Sequence, residues 1–142
     1  MSKLEEKPKD GKAQTAESEK KRILIVDDEE DICETLSQYL SVRGLATGIA
    51  RNGKEAVEAL KDVKPDLIIL DVKMPKMGGF EFLKYLKARP KYSKIPVIML
   101  TIKSERPYLD KGLTLGADFY LPKPFSLTNL MNFIRVTLEA CA

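Results

Sequence analysis

The sequence predicts an α/β domain in which helices cover both faces of a parallel sheet. Segments typical of strands alternate with segments typical of helices five times between residues 22 and 140. Three of the strand segments are continuous apolar runs, as expected for parallel strands that are buried on both faces. The chain has 142 residues, of which 44% are hydrophobic, and this is enough for one domain with its own core.

Five short apolar segments predict the strands. The first, third and fourth are rich in Ile, Leu and Val, whereas the second and fifth are shorter and more mixed, as edge strands often are. The segments are RILIVDD at 22–28, LATGIA at 45–50, PDLIILD at 65–71, KIPVIMLT at 94–101 and ADFYLP at 117–122.

The segments between the strands predict five helices. Their apolar residues recur at helical spacing, and several have capping residues at their ends. Asn52, Ser104 and Ser126 suit the N-cap position, and Gly44 and Gly116 can end a helix. The predicted helices are residues 29–44, 52–63, 78–89, 104–116 and 126–140.

The burial expected for each strand predicts the order in which the strands pair. If strands 1, 3 and 4 are central and strands 2 and 5 are edges, the natural order is 2-1-3-4-5. This is the doubly wound, flavodoxin-like arrangement. In such sheets a binding crevice lies beyond the carboxyl ends of the strands, where the strand order reverses, which here is between strands 1 and 3.

Residues 1–21 differ in composition from the rest of the chain. Lys, Glu, Ser, Pro and Gly dominate this segment, and Leu4 is its single large aliphatic residue after Met1. Such a segment cannot bury enough apolar surface to fold alone. We therefore expect a disordered charged tail at 1–21, followed by the domain at 22–142.

The charge and residue usage exclude several classes of function. The net charge is +3, and basic and acidic residues are nearly balanced after residue 22, so direct nucleic-acid binding is not expected. Two cysteines and no histidine make a disulfide framework or a zinc site improbable. Neither a membrane-spanning run nor a signal peptide is visible, and a cytoplasmic location is the expectation.

Acidic residues end two strands that the predicted order makes neighbours. Asp27 and Asp28 end the first strand, and Asp71 ends the third. Because the carboxyl ends of parallel strands meet at one edge, these carboxylates should converge at the crevice. Their mutual repulsion would be offset by a cation, and oxygen ligands favour a hard ion such as Mg²⁺.

Further polar residues follow the other strands. Thr101 ends the fourth strand, and Lys123 follows the fifth between two prolines. Each has an ordinary explanation when taken alone, and Glu29 and Glu30 suit the N-terminus of a helix. Core packing, however, does not require an acid pair, a single Asp, a Thr and a Lys at successive strand ends. The combination indicates a site.

Four motifs carry a resemblance to a known family. They are VDDEE at 26–30, LDVKMPKMGG at 70–79, IMLT at 98–101 and YLPKPF at 120–125. With these motifs, residues from about 21 to 140 resemble a response-regulator receiver domain, and the plan is similar to that of a single-domain chemotaxis regulator. The resemblance implies a phosphoprotein of two-component signal transduction that is not an enzyme beyond its own phosphorylation and dephosphorylation. It also implies phosphorylation by a histidine kinase or histidine phosphotransfer protein in a phosphorelay, and a downstream protein target.

The resemblance implies roles for residues at the phosphorylation site. Asp71 matches the aspartate that accepts the phosphoryl group. Lys123 and Thr101 match the ammonium and hydroxyl groups that bind it. Tyr120 matches the aromatic residue whose rotamer reports phosphorylation, and the signalling surface is then formed by helix 4, strand 5 and helix 5. These roles are physically reasonable, because phosphoryl transfer needs a nucleophile and neutralisation of the phosphoryl oxygens.

The resemblance also implies a Mg²⁺ site. Asp28 and Asp71 match direct ligands, Asp27 matches the acid that holds a water of the ion, and Lys73 supplies a backbone carbonyl. The Lys123–Pro124 bond matches a bond that is cis in the family, and an X-Pro bond is where a cis peptide costs least.

Three other functions remain open at this point. The chain could be an interaction module that works without phosphorylation, or the receiver part of a longer transcription regulator. It could also be a Mg²⁺-dependent hydrolase with an Asp nucleophile, although such enzymes generally have an acid where this chain has Lys73. The oligomeric state could be a monomer or a phosphorylation-dependent dimer.

Ile102 departs from the family pattern, which usually has a small residue after the threonine. A branched side chain at this position should narrow access to Asp71. We predict that Ile102→Ala accelerates phosphorylation by small phosphodonors and dephosphorylation by external phosphatases. Stopped-flow measurement of both rates checks this, and unchanged rates would contradict it.

Overall fold

The computed structural model describes residues 20–102 and 116–140, and for Ile102 only the backbone is described. Strands and helices alternate along residues 20–102, and one strand and one helix follow within residues 116–140, as the sequence predicts. The elements are β1 (Arg22–Val26), α1 (Glu30–Val42), β2 (Ala46–Ala50), α2 (Gly53–Asp62), β3 (Leu67–Asp71), α3 (Gly79–Lys87), β4 (Val97–Ile102), β5 (Phe119–Lys123) and the C-terminal helix (Leu127–Ala140).

The five strands form one parallel sheet in the order β2-β1-β3-β4-β5. This confirms the predicted flavodoxin-like order. β3 lies at the centre, and every one of its residues is buried. Pro122 lies on β5 opposite Thr101, and β5 is an edge strand, where a residue without an N–H group is tolerated.

The core has one layer on each face of the sheet. Successive residues of a strand point to opposite faces, so each central strand supplies both layers. Leu24, Ile68 and Met99 belong to the layer that α2 and α3 cover. Their neighbours Ile25, Ile69 and Ile98 belong to the layer that α1 and the C-terminal helix cover.

Part of the sequence-based prediction lies outside the described residues. This holds for nearly all of the predicted helix at 104–116 and for residues 1–19 of the predicted tail. Strand β4 begins at Val97, later than predicted, directly after Pro96, which has no N–H group to donate. Within the described ranges, no helix combines the length and apolar character that a membrane span requires.

The loop between β3 and α3 is held tightly against the end of β3. The Gly79 amide donates to the Val72 carbonyl at 2.9 Å, and the Gly53 amide donates to the Met77 carbonyl at 2.8 Å. A Cβ atom on Gly79 would overlap the Asp71 carbonyl oxygen and lie 3.0 Å from the Val72 Cα. Glycine at 79 therefore allows the chain to return close to Asp71.

Gly79→Ala should destabilise the protein by about 1 to 3 kcal/mol, because backbone rather than a flexible side chain blocks the new methyl group. Urea denaturation measures the change. Gly48→Ala is the matched control, since its Cβ would meet only the Leu24 side chain at an ordinary 3.7 Å. Equal losses in the two variants would contradict the proposed backbone clash.

Candidate functional site

Three carboxylates converge at the carboxyl ends of β1 and β3. Asp27 and Asp28 follow β1, Asp71 ends β3, and one oxygen of each lies within 4.8 Å of the others. Asp27 is fully buried and Asp71 is only 7% exposed, whereas Asp28 is exposed. The pairing of β1 with β3 brings these distant residues together.

Lys123, at the end of β5, reaches across to this cluster. Its Nζ lies 3.2 Å from Asp27 Oδ2 and 3.1 Å from Asp71 Oδ1. It also lies 3.0 Å from Glu29 Oε1. The three ion pairs bring together acids from β3 and the β1–α1 segment, so one ammonium group links widely separated parts of the chain.

Negative charge at this site exceeds positive charge. Burial and, to a smaller extent, the negative charge of Asp27 raise the pKa of Asp71, Lys123 opposes the rise, and the resulting pKa is about 7. Burial also raises the pKa of Asp27. For Lys123, burial disfavours the charged form, but the hydrogen bond to Glu29 and the charge of Asp71 outweigh it and raise the pKa. One ammonium group does not neutralise the carboxylates.

The donor set fits a hard divalent cation. Asp27, Asp28 and Asp71 offer only carboxylate oxygens, and the negative charge that raises the pKa of Asp71 is what a cation would offset. Mg²⁺ commonly binds to one or two carboxylates and completes its shell with water and phosphate oxygens. The cluster is therefore compatible with a magnesium site.

The other predicted residues lie around this cluster. Thr101 is buried at the carboxyl end of β4, next to β3. Tyr120 is half-buried on β5 and packs against the core layer that α2 and α3 cover. Lys73 is exposed in the loop after β3, and the Lys123–Pro124 bond is cis.

Two further residues contact the site in ways that sequence reasoning missed. The sequence suggests for Glu29 only a place at the helix N-terminus, yet its side chain pairs with Lys123 and makes no capping hydrogen bond to the helix. The Cys33 thiol, fully buried on α1, donates to the Asp27 carbonyl at 3.2 Å. A weak sequence signal existed for Glu29, because glutamate is not among the residues favoured at an N-cap.

A largely apolar groove of about 550 Å³ opens beside the ion pairs. α1 contributes Ile32 and Leu36, and the segment after β5 contributes Phe125. Glu29 and Lys123 also line the groove. An apolar surface is therefore continuous with the charged cluster.

Comparisons with known proteins agree on one family. A sequence model described as "Response regulator receiver domain" matches residues 23–135. The response regulator MprA of Mycolicibacterium vanbaalenii is 37% identical over 118 residues, which are 83% of this chain and 50% of that protein. The MprA of Mycobacterium ulcerans is 38% identical over 118 residues, which are again 83% of this chain and 50% of that protein. The chain thus spans about half the length of these curated relatives.

Solved structures agree with the sequence comparisons. The receiver domain of a signal transduction histidine kinase from Syntrophus aciditrophicus has a TM-score of 0.79 and 39% identity, covering 84% of this chain and 91% of that one. The chemotaxis response regulator CheY4 of Vibrio cholerae has a TM-score of 0.78 and 32% identity. The match covers 83% of this chain and 98% of that one. The similarity therefore extends over nearly the whole of both solved chains.

The raised pKa of Asp71 predicts a pH-dependent cost in stability. Because Asp71 binds its proton more tightly when folded, the stability it contributes is complete below its usual pKa of 3.8 and is lost as the pH rises through about 7. In EDTA, Asp71→Asn should therefore raise the free energy of unfolding at pH 8, by as much as about 4 kcal/mol, and by less at pH 5. Urea denaturation at both pH values tests this.

Asp62→Asn, at the exposed end of α2, is the matched control for loss of one carboxylate. Its effect on the free energy of unfolding should be small and equal at the two pH values. A lower stability of Asp71→Asn at pH 8 would show that the contact with Lys123 outweighs the cost of burial, contrary to the prediction.

Proposed function

The chain belongs to the response regulator receiver domain family, and from that premise we propose that Asp71 accepts a phosphoryl group from a histidine kinase or histidine phosphotransfer protein. The family consists of signalling proteins rather than classical enzymes. One observation carries the proposal for this chain. Asp71 stands nearly buried at the end of the central strand, with the Lys123 ammonium 3.1 Å away and two further acids beside it. A fold alone does not establish a function, whereas this arrangement of charged groups supports phosphoryl acceptance.

The reaction is an in-line displacement at phosphorus. A carboxylate oxygen of Asp71 bonds to phosphorus, the bond from phosphorus to the donor nitrogen breaks, and its electron pair stays on the donor imidazole. Asp71 must be ionised to attack. The Lys123 charge lowers the pKa of Asp71 against the effect of burial and so favours the reactive form.

Lys123 and Thr101 bind the phosphoryl oxygens once the acyl phosphate has formed. Lys123 already points into the cluster, and Thr101 is buried at the end of the adjacent strand. Asp28, Asp71 and the Lys73 carbonyl would hold Mg²⁺, and Asp27 would hold a water of the ion. When bound, the ion supplies positive charge that offsets the charge of the phosphoryl oxygens.

The signal leaves the site through the β4–β5 side of the sheet. Thr101 moves toward the phosphoryl group and draws the chain after β4 with it, and Tyr120 turns inward. The register of the sheet supports this coupling, because Tyr120 pairs with Met99, two residues before Thr101. The face that includes β5 and the C-terminal helix then changes shape and is recognised by a downstream protein. The predicted helix at 104–116, which the sequence also assigns to this face, lies outside the described residues.

The phosphodonor docks on the groove between α1 and the segment after β5. The groove is lined by apolar residues and also by Lys123, so a donor seated there is close to Asp71. Ile32, Leu36 and Phe125 offer the apolar contact. The proposed location is the cytoplasm, and the proposed state is a monomer or a phosphorylation-dependent dimer. Direct nucleic-acid binding is not expected of this chain, whose basic and acidic residues are nearly balanced.

Phosphorylation of Asp71 is tested with labelled phosphate. In the presence of Mg²⁺, candidate kinases and phosphoramidate should label the wild type, and Asp71→Asn should reduce labelling to background because the nucleophile is lost. Asp62→Asn should be labelled like the wild type.

Beryllofluoride, which forms an acyl phosphate analogue on aspartate, supplies an equilibrium test. With Mg²⁺ it should shift the NMR spectrum of the wild type but not that of Asp71→Asn. A wild type that is neither labelled nor shifted would favour the interaction module that works without phosphorylation.

A further inference from the structure

Glu29 makes an ion pair that helix formation does not require. It occupies the N-cap position of α1, but its side chain makes no capping hydrogen bond. Its Oε1 instead accepts from Lys123 Nζ at 3.0 Å. The Glu29 amide donates to Asp27 Oδ1 at 2.9 Å, so the backbone is tied to the site independently of the side chain.

Lys123 has no donor to spare for a phosphoryl oxygen. An ammonium group has three N–H donors, and carboxylates of Asp27, Asp71 and Glu29 lie within 3.2 Å of it. While Asp71 is still a carboxylate, binding of an incoming phosphoryl oxygen to Lys123 therefore requires one of these three contacts to break.

Solvent exposure identifies the carboxylate that leaves. The side chains of Asp27 and Asp71 are 0% and 9% exposed, so either would remain buried without its counter-charge. The Glu29 side chain is 59% exposed, and water can replace the ammonium group as its partner. Release of Glu29 therefore costs least.

We infer that Glu29 is a releasable partner of Lys123 that slows phosphorylation and disfavours highly charged phosphodonors. This inference rests on the proposed function of Asp71. Lys123 must break its contact with Glu29 before it binds the incoming group, and the Glu29 carboxylate repels that group as it approaches. The repulsion is greater for a dianionic donor than for a monoanionic donor.

The test compares Glu29→Gln with Glu30→Gln. Both remove one negative charge from adjacent residues at the start of α1. The Glu30 side chain is 63% exposed and lies 3.7 Å from Arg51, so it is a matched control that leaves the contact of Lys123 with residue 29 intact. Phosphorylation rates are measured at saturating Mg²⁺ with acetyl phosphate, mainly a dianion at neutral pH, and with phosphoramidate, mainly a monoanion.

Glu29→Gln should be phosphorylated about two- to fivefold faster by acetyl phosphate, the range that one exposed ion pair carries, and should gain less with phosphoramidate. Its half-saturating beryllofluoride concentration, an equilibrium measurement, should fall by a similar factor. Glu30→Gln should remain close to the wild type in all three measurements.

Two results would overturn the inference. Equal changes in both variants would show a general charge effect, and slower phosphorylation of Glu29→Gln would show that Glu29 holds Lys123 in its productive position. Both leave Asp71 phosphorylated in the wild type. Failure of the proposed function gives a different result. The wild type itself would then not be phosphorylated, and beryllofluoride would not bind to it. That result would contradict both proposals.

Discussion

The ion pair between Lys123 and the buried carboxylates of Asp27 and Asp71 is the constraint on which the rest of the structure depends. Two acids removed from water need a counter-charge, and the chain supplies one from the far edge of the sheet. The parallel pairing of β1, β3, β4 and β5 makes this possible, because the carboxyl ends of all four strands then lie at the same edge of the sheet. At Gly79 the chain also passes close to the Asp71 backbone at this edge of the sheet.

The incomplete neutralisation of this cluster links stability to function. The pKa of Asp71 is raised to about 7, mainly by burial and secondarily by the negative charge of Asp27, and the single ammonium group of Lys123 offsets this rise only in part. A fully neutralised site would be more stable, but it would have little affinity for a cation. The residual negative charge is therefore compatible with a site that is completed by a cation. Such a local cost in stability is common at functional sites, where proteins place reactive ionisable groups.

The groove beside the cluster places apolar and ionic interactions next to each other. Ile32 and Phe125 come from elements far apart in the chain, and they meet because α1 and the C-terminal helix cover the same face of the sheet. Lys123 and Glu29 belong to both the groove and the ion-pair cluster. A protein docked in the groove would therefore contact groups that also control access to Asp71.

The sequence by itself determined the alternation of strands and helices, the strand order and the family, because hydrophobic periodicity and the residues at strand ends are local features. It also indicated that Asp27, Asp28 and Asp71 should converge, since the ends of neighbouring parallel strands must lie together. Only the tertiary structure decided that Glu29 pairs with Lys123 and that the Cys33 thiol donates to the Asp27 carbonyl. The direction of the Glu29 side chain depends on a backbone turn and on Lys123, which lies 94 residues away in the sequence. A local sequence pattern carries no information about a contact at that separation.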